Sequence, residues 1–238
     1  YPEMLAAKEI VNAVRRPWTR QYWELFGGAL ILIGVKVREN SRLVNRQLAE
    51  LLNEQKLYHI VAIKRQYETI IPRGTDYVLP GDIVFFTTTK EHIKDVQIHA
   101  GKKDPEVKKI FIMGGSRIAI RTSQYLPNNI RVKILETNKE KSHRIAEVVP
   151  SNVLIINGDG RDTELLIQEG IKDAQAFVAL TDNSSTNILA CLAAKRFGVF
   201  KTVAKIENID YIPLAENMDI GSVINKKLIA ASHIYQFL

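Results

Sequence analysis

Gly114, Gly115 and Ser116 interrupt an apolar run, Ile110-Phe111-Ile112-Met113, and Glu136 closes the next one, which holds Val132, Ile134 and Leu135. Glycines at a strand end let the backbone approach an anion closely, and an acid about twenty residues later can bond both hydroxyls of a ribose. Here the first glycine and the acid are 136 − 114 = 22 positions apart. Between them, Arg117 to Leu126 has helical spacing, with Ile118, Thr122 and Tyr125-Leu126 on related faces, and Pro127 ends the stretch. A helix that starts at a glycine turn points its free N–H groups and the positive end of its dipole at a phosphate. Strand, glycine turn, helix, strand and terminal acid form the layout of a dinucleotide-binding βαβ unit.

Against the fingerprint G-x-G-x-x-G/A, the turn reads Gly114, Gly115, Ser116, Arg117, Ile118, Ala119. Ala119 suits the third position, where a small residue lets helix and strand pack closely. Ser116 replaces the second glycine, where a side chain crowds a pyrophosphate. Two readings follow. Either the pocket has degenerated, or it is kept and the Ser116 hydroxyl donates to a phosphate.

The elements that must position these residues alternate strand and helix through residues 109–238. After Glu136, a helix is predicted over Asn138–Val149, a strand over Asn152–Ile156, a helix over Thr163–Gly170 and a strand over Ala176–Leu180. A helix over Thr186–Phe197, a strand over Thr202–Ile206, a helix over Ile209–Met218, a short strand Ser222–Ile224 and a last helix from Lys226 complete the pattern. Six such strands predict a doubly wound parallel Rossmann-like sheet of order 3-2-1-4-5-6, with ligands beyond the strand C-termini. The loops Gly114–Arg117, Glu136–Asn138, Asn157–Arg161 and Thr181–Ser185 all fall on that edge.

Residues 19–103 read as a small α+β domain. Strands are predicted at Leu30–Val37, Tyr58–Lys64, Tyr67–Ile71 and Ile83–Thr88, with a helix capped by Ser41 running through Leu52 and another over Lys90–His99. His59, His92 and His99 lack metal-ligand spacing, so no metal site and no catalytic constellation is expected. Gly101–Lys108 is charged, contains Gly and Pro, and reads as the linker into the domain over 104–238.

Residues 1–18 carry an amphipathic helix with Met4, Leu5, Ala7, Ile10, Val11 and Val14 on its apolar stripe, ended by Pro17. It cannot bury that stripe alone, and no partner for it is evident in the first small domain. Met4–Ile10 also resembles Leu228–Ile234 at a constant offset, 228 − 4 = 224. Coincidence between two amphipathic helices is one account. The other is a tandem protein in which residues 1–18 are the tail of a preceding nucleotide domain.

Composition bounds the function. The chain has 238 residues, 46% hydrophobic, and no apolar run of membrane-spanning length. Its opening residues lack a basic start and a cleavage site, so no export signal is expected. Cys191, the single cysteine, sits in a helical run and reads as a packed thiol. The net charge of +7 suits anionic ligands or an anionic membrane surface. The basic residues are spread along the chain, so nucleic acid is not an expected partner.

Beyond the glycine turn, KILETNKEK, INGDGRDTELLIQEGIKDAQAFVALTDNSSTNILACLAAKRFG and TVAKIEN resemble a regulator-of-potassium-conductance nucleotide domain. The GDG-x-D-x-x-x-L and LTDN stretches are the more specific part. Residues 27–100, with SRLVNRQLAEL, IVAIKR and LPGDIVFF, resemble the small C-terminal domain of that family. The order is similar to the middle of tandem members, the Trk potassium-uptake regulatory subunits. The resemblance implies a cytoplasmic subunit, peripheral at the inner face of the membrane. It would bind NAD(H), ATP or ADP and gate a membrane-embedded potassium transporter subunit. Carried over position by position, it implies a phosphate turn at Gly114, Gly115, Ser116, Arg117 and Ile118, and a ribose acid at Glu136. It implies an adenine-side loop at Asp159 and Gly160, a further loop at Thr181 and Asp182, and a basic group near the phosphates at Lys205. It also implies self-association through the helices at the two ends. Lys205 could equally be an exposed strand-end lysine, and Asp182 a helix N-terminal acid. An NAD-dependent oxidoreductase is the rival class, and a structural module with a degenerate nucleotide site is a third. The oxidoreductase needs an acid/base group, yet no Y-x-x-x-K occurs, since Tyr125 and Tyr211 are followed four places on by Asn129 and Ala215.

Overall fold

The computed structural model describes residues 2–54 and 56–235. The chain forms two compact units, Trp18–Asp104 and Tyr1–Pro17 together with Pro105–Leu238. It opens with α1 (Pro2–Arg15), which belongs to the second of these.

The Trp18–Asp104 unit contains β1 (Gln21–Leu25), β2 (Leu30–Lys36), α2 (Leu48–Glu54), β3 (Tyr58–Arg65), β4 (Glu68–Ile70), β5 (Ile83–Thr88) and α3 (Ile93–His99). Its five strands pair antiparallel in the order β1-β2-β5-β3-β4. Ile31, Ile33, Val35, Tyr58, Ile63, Val84 and Phe86 put one face of that sheet into a core closed by Leu48, Leu51 and Val96. The helix predicted to start at Ser41 starts instead at Leu48. Asn45 takes a left-handed conformation (φ 61°), and its N–H bonds the Val78 carbonyl, so the segment before Leu48 cannot be helical. The Ser41 hydroxyl is used locally. It accepts from the Leu43 N–H at 3.2 Å and donates to the His99 carbonyl at 3.1 Å.

The second unit continues with β6 (Lys109–Met113), α4 (Arg117–Tyr125), β7 (Arg131–Glu136), α5 (Lys139–Ala146), β8 (Val153–Asn157) and α6 (Thr163–Gln168). It ends with β9 (Ala176–Ala179), α7 (Ser184–Arg196), β10 (Lys201–Lys205), α8 (Tyr211–Asn217), β11 (Ser222–Ile224) and α9 (Lys226–Tyr235). The strands form one parallel sheet, β8-β7-β6-β9-β10-β11, which is the expected order 3-2-1-4-5-6. The fold is thus a doubly wound Rossmann-like sheet preceded in the chain by a small α+β domain. Central strands read as unbroken apolar runs because both faces are covered, and β6 and β9 are buried almost throughout.

One face of this sheet packs with α1 and α4. Ala6, Ala7, Ile10, Val11 and Val14 share a core with Ile110, Ile112, Ile118, Val132, Ile134 and Val178. α1 lies against α4 and α9. The stripe, for which the small domain offered no evident partner, is covered by the nucleotide-type unit. The other face buries Phe111, Met113, Phe177, Ile188, Cys191 and Ile206 beneath α6, α7 and α8. Cys191 is fully buried and its thiol is pushed up to about 12 by burial, so it is packing and not a nucleophile.

Candidate functional site

Helices α4, α5, α6 and α7 each begin just beyond a strand C-terminus, and each of these starts is capped by a side chain. Ser116 caps α4, Asn138 caps α5, Asp162 caps α6 and Asn183 caps α7. The strands between them end at one edge, and a cleft of about 550 Å³ opens there. Gly114, Ser116, Glu136, Asp159, Gly160, Thr181 and Asp182 line it, together with Met113, Lys141, Arg161 and Asn183. The parallel sheet has brought four separate loops to one place.

Gly114 is required by the backbone. Its φ is +97°, and a Cβ there would stand 3.2 Å from the Leu180 carbonyl carbon and the Thr181 nitrogen. Gly115 does not line the cleft but holds its acid. Its N–H donates to Glu136 Oε2 at 3.0 Å, and a Cβ would collide with Ile145 and stand 2.9 Å from that oxygen. Ser116 has an ordinary extended backbone (φ −76°, ψ 166°), and its Oγ accepts from the Ala119 N–H at 3.2 Å. The hydroxyl therefore uses one of the free N–H groups at the α4 start, and its own proton remains to be donated. Arg117 is exposed in the first turn of α4, and Ile118 is core rather than cleft.

Glu136 is buried at the end of β7. Its Oε1 accepts from the Asn138 N–H at 3.0 Å and from the Thr137 hydroxyl at 3.4 Å. Its Oε2 accepts from Gly115 and pairs with Lys141 Nζ at 2.7 Å. Burial alone would raise its pKa. The bonds from Asn138, Lys141 and Gly115 outweigh that, and the carboxyl is held below its ordinary value. Across the cleft, Asp159 forms a two-pronged pair with Arg161, whose hydrogen bonds lower the Asp159 pKa. Gly160 has no room for a Cβ, which would strike Met113.

Thr181 is anchored by Asn187, which is fully buried. Asn187 Oδ1 accepts from the Thr181 N–H (3.1 Å) and hydroxyl (2.6 Å), while its Nδ2 donates to the carbonyls of Thr181 and Lys205. Lys205 does not line the cleft directly. Its side chain is 3% exposed, and its Nζ reaches Asp182 Oδ1 at 2.8 Å, so it is not an exposed strand-end lysine. Asp182 is at the surface and is lowered in pKa by that bond. Sequence reasoning missed Lys141 and Asn187. Lys141 carries a weak signal, a basic residue five places after the strand-end acid. Asn187 carries none, because its partners are set by the packing of α7. Among the described residues, no group of three or more His, Cys, Asp or Glu could hold a metal ion. Among them too, no helix is long and apolar enough to cross a membrane.

Residues 110–226 match the TrkA-N domain, and residues 32–97 match the TrkA-C domain. The chain is 28% identical over 228 residues to Trk system potassium uptake protein TrkA homolog 2 of Methanosarcina mazei, covering 95% of this chain and 50% of that one. It is 30% identical over 228 residues to the TrkA protein of Vibrio alginolyticus, covering 94% and 48%. The chain thus spans about half the length of the curated relatives it matches. Among solved structures, it is similar in fold to the GsuK RCK domain (TM-score 0.63, 17% identity, 98% of this chain and 50% of that one). The GsuK channel bound to NAD is similar too (TM-score 0.62, 17% identity, 98% and 41%).

Proposed function

This chain is a TrkA-C domain followed by a TrkA-N domain, and from that premise we propose that it is a regulatory module, not an enzyme, of a potassium-uptake system. It binds NAD(H), ATP or ADP at the sheet edge and gates a membrane-embedded potassium transporter subunit from the cytoplasmic face. The relatives named as Trk system potassium uptake proteins support the transport setting. The NAD-bound GsuK channel makes NAD(H) the first ligand to test.

One observation carries the nucleotide reading. The glycine turn and the strand-end acid lie side by side, joined by the 3.0 Å bond from Gly115 to Glu136 at the edge of a cleft that faces the α4 N-terminus. Phosphates would take the α4 start at Ser116 and Arg117, with Gly114 and Gly115, whose N–H groups are already used by Leu135 and Glu136, keeping the turn compact and Ile118 anchoring the helix from the core. Ribose would take Glu136. Asp159 and Gly160 would flank the base, and Thr181 with the Asp182–Lys205 pair would close the far side.

Regulation follows from differential binding. A nucleotide that stabilises one arrangement of the domains over another shifts their populations, and a ligand that binds both equally shifts nothing. The direct test is calorimetric titration of the 238-residue chain with NADH, NAD⁺, ATP and ADP, beside a Glu136→Gln variant. Binding of at least one nucleotide, weakened by about tenfold in the variant, supports the reading. Failure of all four to bind removes it.

A further inference from the structure

Glu136 is fully engaged before any ligand arrives. A carboxylate offers about four lone-pair positions. Here Asn138 and Thr137 take Oε1, and Gly115 and Lys141 take Oε2. A ribose diol brings two more donors, so something must yield. The N–H groups of Gly115 and Asn138 are fixed, one by the glycine turn and the other by the start of α5. The Thr137 bond is long at 3.4 Å and is easily given up. Lys141 is the short contact, at 2.7 Å, but the Lys141 side chain is 42% exposed whereas that of Glu136 is 8% exposed. A half-exposed lysine on a flexible four-carbon stem leaves such a pair at small cost. The buried acid cannot move to meet it.

We infer that Lys141 is a specificity-determining residue of the cleft: it holds an acceptor position on Glu136 that a ribose hydroxyl needs, swings aside when a nucleotide binds, and then leaves its cation beside the ribose 2′ position. This rests on the nucleotide reading above. Two opposed effects follow from the one side chain. Competition for Glu136 handicaps a ribose with a free 2′-OH. The displaced ammonium offsets the repulsion between Glu136 and a 2′-phosphate. Lys141 therefore narrows the preference for NADH over NADPH that Glu136 alone would impose.

The experiment is calorimetric titration of NADH and NADPH into the wild-type chain, Lys141→Met and Lys141→Arg. Methionine keeps the aliphatic length and removes the charge; arginine keeps the charge. In Lys141→Met, NADH should bind tighter and NADPH weaker, so the ratio of their dissociation constants should widen by about tenfold. Lys141→Arg should keep the wild-type ratio within about twofold. Far-UV circular dichroism of the variants should be unchanged, since the side chain is half in solvent. A ratio that stays the same in Lys141→Met, or a parallel change in both ligands, overturns the assignment of Lys141 while leaving the nucleotide site standing. So does a wild-type chain that binds NADH but shows no NADPH binding at all. A wild-type chain that binds neither of these nor ATP nor ADP removes the nucleotide reading itself, and the inference with it.

Discussion

Ser116 is the residue where the cleft departs from an open glycine turn, and its position makes the departure testable. Its hydroxyl caps α4 through the Ala119 N–H. Ser116→Gly removes that cap, at a cost of only a few tenths of a kcal/mol, and frees one more N–H for a phosphate. We expect nucleotide affinity to rise severalfold in titration with little change in melting temperature. A fall in affinity would identify the hydroxyl as a donor to the ligand. Glu136 gives a second prediction, on pH. Its folded-state pKa is depressed below the ordinary 4.5, so the unfolded chain takes up the proton first as pH falls. The stability contributed by this group is fully present above about pH 4.5 and is lost as pH drops through the lower folded value. Glu136→Gln should flatten that part of the stability curve, measured by denaturant melts between about pH 6 and about pH 3, which bracket ordinary carboxylate titration. At this scale the sequence was informative where chemistry is local. The meeting of Gly114, Gly115 and Glu136 at one strand edge was legible because a glycine turn and a strand-end acid announce themselves by type and spacing. Lys141 and Asn187 were not, because their roles arise only when α5 and α7 dock on the sheet.

The central strands β6 and β9 were legible for a physical reason as well: covered on both faces, they read as nearly unbroken apolar runs. β1 was missed because Gln21–Leu25 is an edge strand in which only Tyr22 is buried and Glu24 on the same face is exposed, so QYWEL shows no period-two pattern. The helix placed after Ser41 starts later, at Leu48, because a left-handed Asn45 and its backbone bond to Val78 hold the preceding segment out of helix. α1 is the element whose placement most changes expectation. Ile10 is fully buried between α1 and the sheet core, so α1 is part of the nucleotide-type unit's stability. Ile10→Ala should destabilise that unit by about 2–5 kcal/mol. Hydrogen exchange should show the loss in β6, β7 and α4 and spare β2, β3 and β5. Equal loss in both units would mean that α1 does not belong to one of them in the way its packing indicates.

At the scale of the whole molecule, the covering of α1 removes one argument for self-association and leaves another. Ile212 of α8 and Ile229 of α9 pack against the unit's own cores. Ile209, Leu214, Met218, Leu228 and Ile234 do not. They stand between 42% and 62% exposed on or beside α8 and α9. Leu238 and the side chain of Tyr235 lie outside the described residues. Scattered exposed apolar residues are ordinary, and these five are divided between α8 and α9, which pack on opposite faces of the sheet and flank its β11 edge. A two-fold pairing that buried them at about 25 cal/mol per Å² would gain several kcal/mol before the entropy of association is subtracted. We therefore propose a dimer through α8 and α9, distinct from the α1 packing. Light scattering should report a dimer, and Leu214→Glu with Ile234→Glu should convert it to a monomer whose circular dichroism is unchanged. A wild-type chain that stays monomeric at every workable concentration, with and without NADH, would confine the gating contact to the transporter and leave these side chains as ordinary surface.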